Sequence, residues 1–289
     1  MASCLDWQRA TRRPATALPP RSCDTALHVF DPAHAHRLLP GRRYEPASAT
    51  LAELQAMHRQ LGIERAVLVQ PSVYGFDHTV LIDALRADPD RYRGVALLDD
   101  SLDDQAQRTL HDAGVRSARF NILSRFGQPF DKAAFRRQTA RAVRLGWSLS
   151  LHATAAELAQ HAALLLSLDA PVIVDHAAYL DPEGLHGPGA DFLREALARG
   201  HWWLKLSRLD HRSRPPYDDV VTVMRTLAGL DATRMLWATD WPHPLYDAAS
   251  HTMPNDADLV ELLVRALPDA TVREQILVHN PAGLFGFPA

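Results

Sequence analysis

Arg234-Met-Leu-Trp-Ala-Thr-Asp-Trp-Pro-His-Pro244 carries a short apolar run, Met235 to Ala238, that stops at Thr239 and Asp240 and is then bent by Pro242 and Pro244. An apolar run of this length between turn formers reads as a strand buried on both faces. A carboxylate at the carboxyl end of such a strand stands where alternating α/β folds place their chemistry. One Asp in that position is more often a helix cap or the partner of an Arg. The weight comes from other strand-like runs in the chain, because several of them also end on His or Arg.

Seven such runs precede this one, at residues 25–30, 66–70, 94–98, 117–121, 147–152, 171–176 and 202–207. Helical patterns separate them, at residues 77–87, 102–113, 132–145, 155–168, 190–199 and 217–227, with a last one at 257–267. The first helix opens on Thr50-Leu-Ala-Glu53, a capping-box pattern, and closes at Leu61 before Gly62. Eight strands alternating with helices over about 250 residues is the size and rhythm of a (β/α)8 TIM barrel, here a single domain over residues 23–289. A doubly wound open sheet competes, but no Gly-rich phosphate turn follows the first strand. Residues 1–22 are rich in Arg, Pro and Ala without periodicity and read as a flexible N-terminal extension.

Composition narrows the function. Hydrophobic residues make up 47% and charged residues 22% of the 289, so a large core is available. A net charge of -3 offers no electrostatic case for nucleic acid or an anionic membrane. No apolar run approaches the ~20 residues that span a bilayer. Cys4 and Cys23 do not suggest a disulfide scaffold or a zinc knuckle, and no signal-peptide core follows Arg12-Arg13. A cytoplasmic monomer or homodimer acting on a small molecule is the expectation.

In a barrel the carboxyl strand ends converge, so their polar residues become neighbours. That set is His28, Gln70-Pro-Ser72, Arg119 and Asn121, His152, His176, Lys205 or the following Arg208 to His211, and Asp240. Each His taken alone reads as a buried, hydrogen-bonded core residue; three His and one Asp at four strand ends is a stronger pattern. His34-Ala-His36 lies in a loop and reads as solvated surface. Arg119 cannot sit in an apolar barrel unpaired, because an uncompensated buried charge costs several kcal/mol. It is either one half of an internal salt bridge or a fork for a substrate carboxylate, with Arg125 and Tyr44 in adjoining loops able to join such an anion pocket.

Several segments together resemble the amidohydrolase-related (amidohydrolase 2) family, in its 2-pyrone-4,6-dicarboxylate lactonase-like branch. They are Cys23-Asp-Thr-Ala-Leu-His-Val-Phe-Asp-Pro32, Val69-Gln-Pro-Ser-Val-Tyr-Gly-Phe-Asp77, Gly114-Val-Arg-Ser-Ala-Arg-Phe-Asn121, Ile173-Val-Asp-His176, Lys205-Leu-Ser207, Trp237-Ala-Thr-Asp-Trp-Pro-His-Pro244 and Asn280-Pro-Ala-Gly-Leu-Phe-Gly286. The resemblance runs from about residue 20 to residue 287. It implies a (β/α)8 barrel and hydrolysis of a carboxylated lactone in aromatic or sugar acid catabolism, often without a bound metal. By position it implies Asp240 as the general base that activates water, His28 and His176 around the scissile carbonyl, and Arg119, Arg125, Tyr44 and Ser72 as substrate contacts. His152 and His211 join the expected substrate-binding set.

The chain also departs from that pattern. The family's first His of His-x-His is Ala26 here, leaving His28. Arg208 stands where the family's Lys-Leu-Ser-Gly places glycine, His211 where an Arg is expected, and Leu245 where an Asn follows His-Pro. These changes suggest a substrate other than the pyrone dicarboxylate. They also leave two further readings open. One is a decarboxylase of an aromatic or muconate-like acid, using one divalent zinc or manganese ion on His28, His152, His176 and Asp240. The other is a catalytically decayed binding protein, motivated by Ala26.

Overall fold

The computed structural model describes residues 2–124 and 129–288. Eight strands form one parallel sheet in chain order: β1 (Cys23–Leu27), β2 (Arg65–Val69), β3 (Tyr92–Leu97), β4 (Val115–Asn121), β5 (Ser148–His152), β6 (Val172–Val174), β7 (Trp202–Leu206) and β8 (Met235–Trp237). Helices run between them on the outside: α1 (Leu51–Leu61), α2 (Thr79–Ala87), α3 (Asp104–Asp112), α4 (Lys132–Arg144), α5 (Ala155–Gln160), α6 (Ala162–Leu165), α7 (Pro188–Ala198) and α8 (Asp218–Ala228), with α9 (Asp256–Ala266) after the last strand. This is the (β/α)8 barrel that the alternation predicts.

Local chemistry sets the element ends. Thr50 and Thr154 each form a full capping box with the glutamate three residues on, while Asp103, Asp131 and Asn255 cap α3, α4 and α9 through their side-chain oxygens. Gly62 stops α1 in the left-handed conformation, at φ 77°, where a Cβ would be strained. Two expected elements differ. The helix foreseen over 155–168 breaks at His161 into α5 and α6, and the sixth strand ends at Val174 because the chain turns left-handed from His176 onward.

The floor of the barrel is apolar. Cys23, Val67, Val69, Val95, Ile173 and Leu236 pack together inside it, against Phe285 and Phe287 from the C-terminal segment. Arg93 holds that segment by donating to the backbone carbonyls of Phe285 and Gly286, so the ring is plugged from below. Open chemistry is thereby confined to the other end.

Closure between β8 and β1 depends on one buried carboxylate. Asp24 accepts hydrogen bonds from the backbone N–H groups of Ala26 and Thr239, and from the Thr239 hydroxyl. His58 of α1 faces the same carboxylate at 3.6 Å. Beyond it the backbones join directly: Asp240 N–H donates to the Ala26 carbonyl at 3.0 Å and His28 N–H to the Trp241 carbonyl at 2.8 Å. The seam therefore places Asp240 and His28 side by side.

Residues 4–22 contain almost no regular structure but lie docked along the barrel mouth. Trp7 is buried edge-on against Trp241, with ring centroids 4.9 Å apart, and its indole N–H donates to the Ser48 carbonyl. Leu5 N–H donates to the Tyr246 carbonyl, and the Cys4 thiol accepts from Leu245 N–H. This segment pins the loop that follows Asp240.

Replacing Asp24 with alanine removes three accepted hydrogen bonds and leaves buried donors unpaired. We expect Asp24→Ala to lower the unfolding free energy by about 3 kcal/mol, read from urea denaturation against the unchanged protein.

Candidate active site

At the carboxyl ends of the strands lies a cavity of about 530 Å³. Its walls include His28, Tyr44, Ser72, Arg119, His152, His176, His211 and Asp240. Eight of the nine site residues expected from sequence are therefore gathered in one place; the ninth, Arg125, lies outside the described residues. His34 and His36 sit apart, in a short 3-10 turn on the outside of the mouth.

Asp240 is buried and occupies the left-handed region at φ 63°. Arg208 Nη1 donates to its Oδ2 at 2.6 Å. Its Oδ1 faces His28 Nε2 at 3.8 Å and His176 Nε2 at 3.9 Å. Burial alone would push this carboxyl up, but His176, Arg208 and His28 outweigh it and hold the group well below the usual carboxylate range.

The tautomers of the two histidines follow from their partners. His28 Nδ1 lies 2.8 Å from the Val69 carbonyl, which only accepts, so Nδ1 carries the proton. His176 Nε2 lies 3.4 Å from Arg119 Nη2, which only donates, so its proton sits on Nδ1 toward the Ser207 hydroxyl at 2.9 Å. Both rings are neutral: burial lowers His28, and burial, against the pull of Asp240 and Asp175, takes His176 down to about 3. The unprotonated Nε2 atoms of His28 and His176 thus both lie near one carboxylate oxygen, and that of His176 also accepts from Arg119.

Arg119 forms the internal salt bridge that is one of its two expected readings. Its Nε pairs with Asp175 at 3.0 Å, while the side chain also forms cavity wall. Asp175 in addition accepts from Lys205 Nζ at 2.8 Å and from the Ser150 hydroxyl at 2.9 Å. Despite its burial, Lys205 and Arg119 hold that carboxyl far below its ordinary range. One carboxylate serves two cations here, so positive charge is left over on the cavity side. Lys205 itself is fully buried beneath the cavity, and Arg208 is the member of that stretch beside Asp240.

His152 bonds Asn121 through Nδ1 at 2.8 Å, and its Nε2 meets the Tyr179 hydroxyl. Tyr179 reaches it from an unusual backbone. His176, Ala177, Ala178 and Tyr179 have φ of 54°, 48°, 51° and 57°, a full left-handed turn without glycine. Such a turn costs about 1–2 kcal/mol per residue. Arg208, His243 and Leu245 are also left-handed, so strain is concentrated around the mouth. His211 stacks on His251 with centroids 4.0 Å apart, and burial with Arg208 nearby pushes it down to about 3. Tyr44 is buried beside Phe30, whereas Ser72 is exposed at the start of a 3-10 turn.

Arg208 stands among the strand-end residues expected from sequence but without an assigned role, and Tyr179 is absent from that set. The signal for Arg208 was present, as a charged residue in the glycine position of Lys-Leu-Ser-Gly. Tyr179 had none, because nothing in His-Ala-Ala-Tyr announces a left-handed turn. Of the four donors considered for a metal, Asp240 engages a guanidinium through Oδ2, and both His152 nitrogens face other partners. Among the described residues no cluster of three His, Cys, Asp or Glu side chains is arranged to hold a metal ion. Nor, among them, is any helix long and apolar enough to cross a membrane.

Residues 23–287 match the family model described as Amidohydrolase. A 4-sulfomuconolactone hydrolase of Rhizobium radiobacter is 34% identical, the match covering 93% of this chain and 91% of that protein. A 2-pyrone-4,6-dicarboxylate hydrolase of Comamonas testosteroni is 32% identical, covering 97% of this chain and 95% of that one. The apo crystal structure of an Agrobacterium tumefaciens protein superposes with a TM-score of 0.83 at 26% identity, covering 95% and 99% of the two chains.

The neutral histidines make stability depend on pH with a definite sign. His176 titrates at about 3 when folded and near 6.5 when unfolded, so the unfolded chain binds the extra proton between those values. Its contribution is complete above about 6.5 and is lost as pH falls toward 3. Urea unfolding across that window is expected to show falling stability with acid, and His176→Asn a shallower fall.

Proposed function

The chain belongs to the amidohydrolase family, and on that premise we propose that it opens the ring of a lactone bearing an acidic substituent, with Asp240 as the base that takes a proton from the attacking water. The relatives named for lactone hydrolysis cover nearly the whole chain and support this class of reaction. The observation that carries the mechanism is the convergence of Asp240 Oδ1 with the two unprotonated Nε2 atoms.

Asp240 Oδ1 and the nearby His28 Nε2 favour a water molecule that donates one hydrogen bond to each, which leaves an oxygen lone pair for the cavity. Attack on the lactone carbonyl transfers the proton shared with Asp240 to that carboxylate, leaves the other on the attacking oxygen, and puts negative charge on the carbonyl oxygen. Arg119, beside His176 and only half-spent on Asp175, is placed to meet such charge. Breaking the ring C–O bond then returns the proton to the departing oxygen. Water and lactone become a hydroxy acid or its enol equivalent, with no other reactant needed.

Two features support an anionic substrate. The Asp175, Lys205 and Arg119 group carries one more positive than negative charge, and Arg43 adds a further guanidinium to the cavity wall. The substituent is a carboxylate or a sulfonate, both of which a guanidinium fork accepts. A reaction without metal is supported by the donor set, in which an arginine already occupies the carboxylate that a metal would need.

Asp240→Asn should leave the circular dichroism spectrum unchanged and lower kcat by about 10³-fold. The assay is loss of ring absorbance with 2-pyrone-4,6-dicarboxylate, 4-sulfomuconolactone and related acidic lactones, with and without a chelator. Turnover unaffected by chelation is the expected result; unchanged turnover in Asp240→Asn would refute the role of the base.

A further inference from the structure

Arg208 is an improbable residue for its position. Its backbone lies at φ 56°, the left-handed region that glycine enters freely and a long side chain enters at a cost. The chain has placed a guanidinium there, buried it, and aimed it at the one carboxylate on which the proposed reaction depends.

The resulting pair obstructs that reaction. A guanidinium 2.6 Å from Oδ2 occupies one oxygen of the base and draws its charge away from a water proton. Yet the pair is not closed. Arg208 has five N–H donors, and among the described residues the structure gives it a single hydrogen bond. It also forms part of the cavity wall and lies over the Tyr246 ring, with its guanidinium carbon 5.3 Å from the centroid. Tyr246 is in turn held by Asp210, at 2.7 Å from its hydroxyl. The guanidinium therefore has an aromatic surface along which to shift, and unspent donors facing the place a substrate would enter.

We propose that Arg208 is the specificity-determining residue of this site: it exchanges Asp240 for the acidic substituent of the incoming lactone, and that exchange frees Asp240 to act on water. The ligand class is a planar or tetrahedral oxyanion, carboxylate or sulfonate, attached to the lactone. An uncharged lactone would bind without displacing Arg208 and would leave the base engaged. Selection would then act through kcat as well as through KM. This inference rests on the reading of the protein as a lactone hydrolase with Asp240 as base.

The test compares the acidic lactone turned over fastest in the screen with unsubstituted 2-pyrone. In the unchanged protein, sodium acetate is expected to raise turnover of 2-pyrone by supplying the missing anion. Arg208→Met should raise KM for the acidic lactone about 100-fold. It should also raise kcat on 2-pyrone about tenfold and abolish the acetate effect. Added guanidinium ion should partly restore discrimination to this variant. The proposal is overturned if acetate has no effect on the unchanged protein, or if Arg208→Met loses kcat equally on both lactones at unaltered KM. Should Arg208→Met not fold, Arg208→Gly, which removes the cation and adopts the left-handed backbone of this position freely, takes its place with the same readings. Asp240→Asn separates the two claims. If it abolishes turnover while Arg208 variants show no discrimination effect, only the exchange fails; if it leaves turnover intact, the role of Asp240 as base fails and the exchange with it.

Discussion

A carboxylate sealed from water must be compensated, since leaving an ion unpaired in a protein interior costs several kcal/mol. Asp240 meets that requirement with the Arg208 guanidinium, while two neutral imidazoles face its other oxygen at 3.8 and 3.9 Å. Each of those partners needs support of its own. His28 is turned by the Val69 carbonyl, His176 by Ser207 and Arg119, and Arg119 by Asp175, which is itself held by Lys205 and Ser150. The polar network beneath the cavity exists so that three atoms above it can point inward.

The rest of the fold serves the same requirement. The β8 to β1 seam sets Asp240 against His28 through backbone hydrogen bonds, and Asp24 closes that seam from within. The C-terminal phenylalanines fill the floor of the barrel beneath that network, so open chemistry is confined to the cavity end. The N-terminal residues, with Trp7 against Trp241, brace the loop beyond Asp240 from outside. Parts far apart in the chain thus converge on the position of one side chain.

Backbone strain marks the same region. Asp240, Arg208 and the turn from His176 to Tyr179 all sit in left-handed conformations that non-glycine residues avoid. Such geometry persists only where surrounding contacts over-determine it. Here those contacts are the charged and hydrogen-bonded partners of the site, so stability elsewhere in the barrel offsets the cost of holding polar groups in fixed directions.

The architecture was readable in the chain because it rests on local rules: apolar runs at strand length, capping residues, and the rhythm of strand and helix. The same rhythm brought His28, His152, His176, Arg119 and Asp240 together, since residues at strand ends share one face of a barrel. What could not be read was direction and pairing. The left-handed turn that carries Tyr179 to His152, the docking of residues 4–22 and the contact of Arg208 with Asp240 arise from pieces distant in sequence. Periodicity reports which way a residue faces relative to its own element. Which partner it meets across the cavity is decided by tertiary packing, because a hydrogen bond or ion pair depends on ångström distances that no local pattern encodes.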